Sequence, residues 1–260
     1  MWKGEKRKKR ALFFLLAAAL VWSPWKQAAA RGEGEKEARE QGEVEEGETL
    51  EAEEMEWEAP EKKYIALTFD DGPHRGTTDR LLDGLAERDA KATFFLVGEE
   101  AAGNRELVIR MGAEGHQIGN HTWSHSHLDE LSPEEIVQEI GKTDALLQSL
   151  LGPGEYWLRP PYGFVRAGTE NLIPVPMIKW SVDPRDWESR NTEQVIRAVT
   201  ETVEPGSIIL LHDIYATSVE AALRLIDLLR EEGYEFVTVQ ELLARSGVTP
   251  RPGVSYRSGS

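Results

Sequence analysis

The sequence predicts an α/β fold of parallel strands covered by helices. Two observations predict it. Short apolar runs and amphipathic segments alternate about seven times across residues 62–246, without an internal repeat. Polar residues repeatedly follow the apolar runs: Asp70 and Asp71, His121, Arg159, Asp183 and His212. That placement suits the C-terminal mouth of a βα barrel. An open doubly wound sheet satisfies the same pattern.

Each element has its own signal. Tyr64–Phe69 is a short apolar run ending in acids, as in a buried strand. Thr77–Ala90 follows with Leu81, Leu82, Leu85 and Ala86 at helical spacing. Ala92–Val97 is a second buried strand, 104–113 a helix, and His116–Asn120 a strand end. Ser132, Pro133 and Glu135 open a long helix as N-cap, first residue and capping-box partner. It should stop at Gly152-Pro153-Gly154. Tyr156–Arg159 and Met177–Val182 read as strands, and Thr192–Val203 as a helix capped by Thr192. Ser207–Leu211 is a strand, Ser218–Glu232 an amphipathic helix and Glu235–Val239 a last strand.

The ends differ from this body. Residues 1–30 carry seven basic side chains and one acidic, with a basic stretch (Lys3–Arg10), an apolar stretch (Ala11–Trp22) and Ala28-Ala29-Ala30. This is the pattern of a signal peptide for export to the cell envelope or beyond. Twelve apolar residues fall short of the roughly 20 that span a bilayer. An uncleaved membrane anchor is the alternative, and the only expected membrane contact. Residues 31–61 hold fourteen Glu against three basic residues, an expected disordered acidic linker. Residues 247–260 are expected to form a flexible tail. The net charge of −16 argues against a nucleic-acid partner. Cysteine is absent, so a metal site must use His, Asp or Glu.

Five clusters could carry chemistry. In Asp70-Asp71-Gly72-Pro73, adjacent acids at a strand end point apart, one to a metal and one to a water, while Gly72-Pro73 turns the chain away. His121 and His125 face the same way if the segment makes a helical turn, and so can pair as imidazole ligands; His127 is read as a bystander. Arg159 in Arg159-Pro160-Pro161-Tyr162-Gly163 can pair with a carboxylate, and the stiffened loop can present a rigid N–H. Asp183-Pro184-Arg185-Asp186-Trp187 is the fourth cluster. The fifth ends at His212-Asp213, where a His after four aliphatics suits proton transfer near neutral pH. Taken singly, each cluster is also compatible with a turn, a cap or a structural histidine.

In this order the five clusters resemble the motif blocks of the polysaccharide deacetylase family, also called carbohydrate esterase family four or the NodB-like deacetylases. The resemblance covers roughly Lys62 to Ala244. It implies a distorted, incomplete (β/α) barrel of about seven parallel strands. Asp71, His121 and His125 look like the metal ligands, for one divalent ion, zinc first, with cobalt, nickel or manganese as alternatives. Asp70 looks like the general base and Arg159 its partner. The Tyr162 N–H looks like the oxyanion donor. Asp186 looks like the residue that tunes the catalytic histidine, and Trp187 and Leu210 like walls of the acetyl pocket. His212 looks like the general acid. The implied activity is hydrolytic removal of N-acetyl groups from an extracellular N-acetylglucosamine polymer by a monomer, with peptidoglycan first and chitin oligomers next. A xylan O-acetyl esterase and a non-catalytic glycan-binding envelope protein are the alternatives. Residues 164–179 depart from the family: Pro174 and Pro176 stand where a full helix is usual, which affects one wall of the groove.

Overall fold

Strand pairing runs outward from one central strand. The computed structural model describes residues 62–259, so the expected signal or anchor and acidic linker lie outside the described residues. In chain order the elements are β1 (Lys63–Asp70), α1 (Thr78–Glu87), β2 (Thr93–Leu96), α2 (Gly98–Gly103), α3 (Arg105–Ala113), β3 (Gln117–Asn120) and α4 (Pro133–Leu151). Then follow β4 (Met177–Ile178), α5 (Asp186–Ser189), α6 (Thr192–Thr200), β5 (Ile208–His212), α7 (Ala216–Glu231), β6 (Tyr234–Phe236), α8 (Val239–Arg245) and β7 (Ser255–Tyr256).

All pairs between these strands are parallel, and a single antiparallel bridge joins Ser207 to Ser258. The order is β3-β2-β1-β5, with β6 beside the first residues of β1. Single-residue bridges continue the pairing from Asn120 to Leu158, from Leu158 to Met177, and from Val182 to Ile209. One side is therefore built from isolated bridges, which makes the barrel distorted and incomplete. Proline explains this side: Pro160, Pro161, Pro174 and Pro176 cannot donate to a ladder. The expected strands 156–159 and 177–182 shrink accordingly to a bridge at Leu158 and to β4 with a bridge at Val182. Within 164–179 the only helical structure among the described residues is a single 3₁₀ turn, Glu170–Leu172.

The two faces of β1 explain where the site lies. Ile65, Leu67 and Phe69 pack outward with Leu81, Leu85, Leu225 and Leu229 of the helical layer. Ala66 belongs to the interior cluster with Phe95, Leu158 and Ile178. Alternation puts Thr68 and Asp70 on that same interior face. Both are buried, so the strand delivers polar atoms to one end of an otherwise apolar interior.

Caps set the helix starts. The box on Ser132 and Glu135 forms as expected. In α6 the cap is Asn191, whose side chain accepts from the Gln194 N–H, and Thr192 is the first helical residue. A second box, Thr238 with Glu241, opens α8 and ends the strand expected to run to Val239. The expected flexible tail is ordered into β7, which pairs with β4. The Met177 N–H donates to Val254 O at 2.9 Å and the Lys179 N–H to Tyr256 O at 2.7 Å. These pairings satisfy an edge that the two-residue β4 would otherwise leave open. Truncation after Pro252 should therefore lower the melting temperature by about 5 °C or more in differential scanning calorimetry.

Candidate active site

A cavity of about 370 Å³ opens where β1 and β5 end. Asp70, Asp71, His121, His125, Tyr162, Trp187, Leu210 and His212 line it, so eight of the ten expected site residues meet there. The other two, Arg159 and Asp186, are fully buried behind it. Trp180, Asp183 and Tyr215 complete the lining.

Asp70 and Asp71 do not diverge as strand neighbours would. Asp71 adopts a left-handed backbone (φ 73) as it leaves β1, and both carboxylates face the cavity. Gly72 is required by close approach: a Cβ there would collide with both carboxylate oxygens of buried Asp213. Burial pushes the Asp213 carboxyl up to about 7, against the Thr78 hydroxyl that donates to it.

The Asp71, His121 and His125 ligand atoms all lie within 4.8 Å of one another. Asp71 Oδ1 is 3.2 Å from His125 Nε2 and 3.5 Å from His121 Nε2. It is buried and makes no well-formed hydrogen bond. Burial pushes the His121 imidazole down, favouring the neutral ring that a metal needs. His121 Nδ1 lies 2.6 Å from the Arg159 carbonyl. A proton there leaves the Nε2 lone pair to face Asp71. An orphaned anionic oxygen beside two imidazoles fits one divalent cation.

No helical turn brings the two histidines together. Thr122 (φ 66) and His125 (φ 58) are left-handed, and the loop is pinned from α4 by Glu139. The Glu139 carboxylate accepts from the Trp123 N–H (3.0 Å), the Ser124 N–H (2.9 Å) and the Ser124 hydroxyl (3.0 Å). Sequence reasoning missed Glu139, since one half-buried Glu among several acids on a helix carries no local signal. It also missed Trp180 and Tyr215, although each lies two or three residues beyond a strand end. His127, expected to be a bystander, stacks on the Tyr162 ring with centroids 3.7 Å apart.

Arg159 is held by four groups. Nη1 donates to Asp70 Oδ1 and to Thr68 Oγ1, both at 2.7 Å. Nε donates to Ile178 O at 3.2 Å and Nη2 to Lys179 O at 3.0 Å. Farther along, Tyr162 is left-handed (φ 58), and Gly163 (φ 77) follows it against Trp180. Asp186 grips His212 twice. Oδ1 is 2.8 Å from Nδ1, and Oδ2 accepts the His212 backbone N–H at 2.8 Å. Burial alone would lower the His212 imidazole, but hydrogen bonding to Asp186 and the charges of Asp186, Asp70 and Asp71 raise it to about 9.

A family model described as polysaccharide deacetylase matches residues 58–173. The chain is 40% identical over 183 residues to the peptidoglycan-N-acetylmuramic acid deacetylase PdaC of Bacillus subtilis, covering 70% of this chain and 39% of PdaC. Thus it spans well under half the length of that relative. It is 35% identical over 196 residues to a peptidoglycan-N-acetylglucosamine deacetylase of Bacillus cereus, covering 72% of this chain and 92% of that protein. A solved family 4 acetyl xylan esterase from Clostridium thermocellum, in complex with a cobalt ion, superposes with a TM-score of 0.72 at 37% identity, covering 75% of this chain and 98% of that one.

Replacing Glu139 by Ala should release the His121–His125 loop. The expected loss is about 1–3 kcal/mol of stability in urea unfolding, from backbone donors left without their acceptor.

Proposed function

The chain belongs to the polysaccharide deacetylase family, and on that premise we propose that it is a metal-dependent N-deacetylase of an extracellular N-acetylglucosamine polymer, peptidoglycan first. The observation that carries this reading is the Asp71–His121–His125 cluster flanked by two fixed proton-transfer pairs, Asp70–Arg159 and His212–Asp186. Peptidoglycan ranks first because the relatives from Bacillus subtilis and Bacillus cereus are named for it. The basic, apolar and small-residue order of residues 1–30 supports an extracellular substrate. The likeness to a xylan esterase makes O-acetyl xylan the second substrate to assay.

Asp71, His121 and His125 would hold the metal ion, zinc first. When bound, such an ion polarises a carbonyl and acidifies water. The remaining work belongs to the chain. Trp187 and Leu210 wall the acetyl methyl. Asp70, locked by Arg159, accepts the proton of the attacking water. The Tyr162 N–H would be the donor to the negative charge that develops on the acetyl oxygen. His212 donates from Nε2 to the departing sugar nitrogen, while Asp186 keeps Nδ1 engaged. Water and amide are consumed, and acetate and amine leave.

Asp70→Asn should keep its metal by elemental analysis and lose about 10²–10⁴ in acetate release. His125→Ala should lose the metal as well. Parental turnover in either variant contradicts these roles. Asp186→Asn removes the carboxylate that does most to raise the His212 pKa, while Asp70 and Asp71 remain. A raised acid stays protonated until pH passes about 9, so the alkaline limb of the kcat profile should move to lower pH in this variant. An unmoved limb means that His212 is not the acid.

A further inference from the structure

Three carboxylates, Asp70, Asp71 and Asp183, line the cavity together with His121, His125 and His212. Two arginines bracket α5, each beside the lining residue Trp187. Both have left-handed backbones, Arg185 (φ 53) and Arg190 (φ 45). Arg185 is spoken for, since its Nε pairs with Glu188 at 2.8 Å. Arg190 is different. Among the described residues no carboxylate approaches its guanidinium within the 4.0 Å of an ion pair.

Arg190 is nevertheless fixed in place. Its Nε donates to Trp187 O at 3.2 Å. Its guanidinium lies over the Tyr215 ring, 3.9 Å from the centroid. Its backbone N–H donates to Asp186 O at 3.0 Å. Trp187 and Tyr215 both line the cavity. The result is an exposed, preorganised cation whose two terminal nitrogens have no acceptor among the hydrogen bonds within the described residues. A planar guanidinium of this kind matches a carboxylate through two parallel hydrogen bonds, and pre-fixing it lowers the ordering cost of binding.

Resting on the reading above, we propose that Arg190 is a specificity-determining residue that recognises a carboxylate on the glycan next to the sugar being deacetylated. A carboxylate on the neighbouring sugar is accommodated where Arg190 stands, beside Trp187 and Tyr215 of the lining. This selects glycans whose sugars carry free acid side groups, such as an N-acetylmuramic acid whose lactyl carboxyl bears no peptide, over neutral N-acetylglucosamine or xylose polymers.

The test uses oligomers of alternating N-acetylglucosamine and N-acetylmuramic acid, with the lactyl carboxylate either free or converted to its amide. Binding to the full chain is measured by calorimetry, and acetate release is measured alongside. The parent should bind the free acid about tenfold more tightly than the amide. Arg190→Gln should erase that preference, and Arg190→Lys should retain part of it. Equal binding of acid and amide by the parent, or an undiminished preference in Arg190→Gln, overturns the assignment. A binding preference without acetate release leaves Arg190 assigned and overturns the deacetylase reading instead.

Discussion

A guanidinium shut away from water organises this site. Arg159 is fully buried, and burying a lone charge costs several kcal/mol unless it is paired and hydrogen-bonded. The fold meets that demand by bringing Asp70 and Thr68 of β1, the end of β4 and the Lys179 carbonyl to one side chain. The Arg159 carbonyl meets the His121 ring in turn. One residue thus ties the proposed base to a proposed metal ligand. It also fixes the incomplete side of the barrel, where regular pairing is too short to set positions unaided. Its flat face against Phe95 closes the interior beneath the cavity.

The second organising feature is stored backbone strain. Seven non-glycine residues among those described have positive φ, and six of them sit in the loops that build or border the site: Asp71, Thr122, His125, Tyr162, Arg185 and Arg190. Each such residue costs about 1–3 kcal/mol and persists only where its surroundings over-determine it. The surroundings can be named. Asp213 packs on the turn after Asp71, Glu139 holds the loop between Thr122 and His125, and His127 stacks on Tyr162. Strand ends alone point neighbouring side chains apart. Left-handed residues just past them turn those side chains back toward one cavity.

Much of this was legible in the sequence. Buried parallel strands read as uninterrupted apolar runs, as in Ile208–Leu211, and capping boxes mark helix starts. The ten expected site residues gather because each lies in the C-terminal part of a strand or a few positions past a strand or bridge, and strand ends in a parallel fold share one face. The illegible parts depend on distant contacts. Nothing near Glu139 reveals that it will hold a loop fifteen residues earlier. Nothing in the tail 247–260 shows that Ser255 and Tyr256 will find β4. The His121–His125 spacing suggested a helical turn, yet a bend with two left-handed residues brings the rings to 4.9 Å. Spacing reports proximity here, while the backbone route is set by tertiary hydrogen bonds.

The proposed chemistry depends on the convergence of Asp71, His121 and His125 on one cation. Anomalous diffraction at the zinc edge, from crystals grown with zinc, tests this most directly. A single strong peak about 2.0–2.2 Å from one oxygen of Asp71 and one nitrogen of each histidine is the predicted result. Zinc bound elsewhere, with these three side chains turned away from one another, would contradict it.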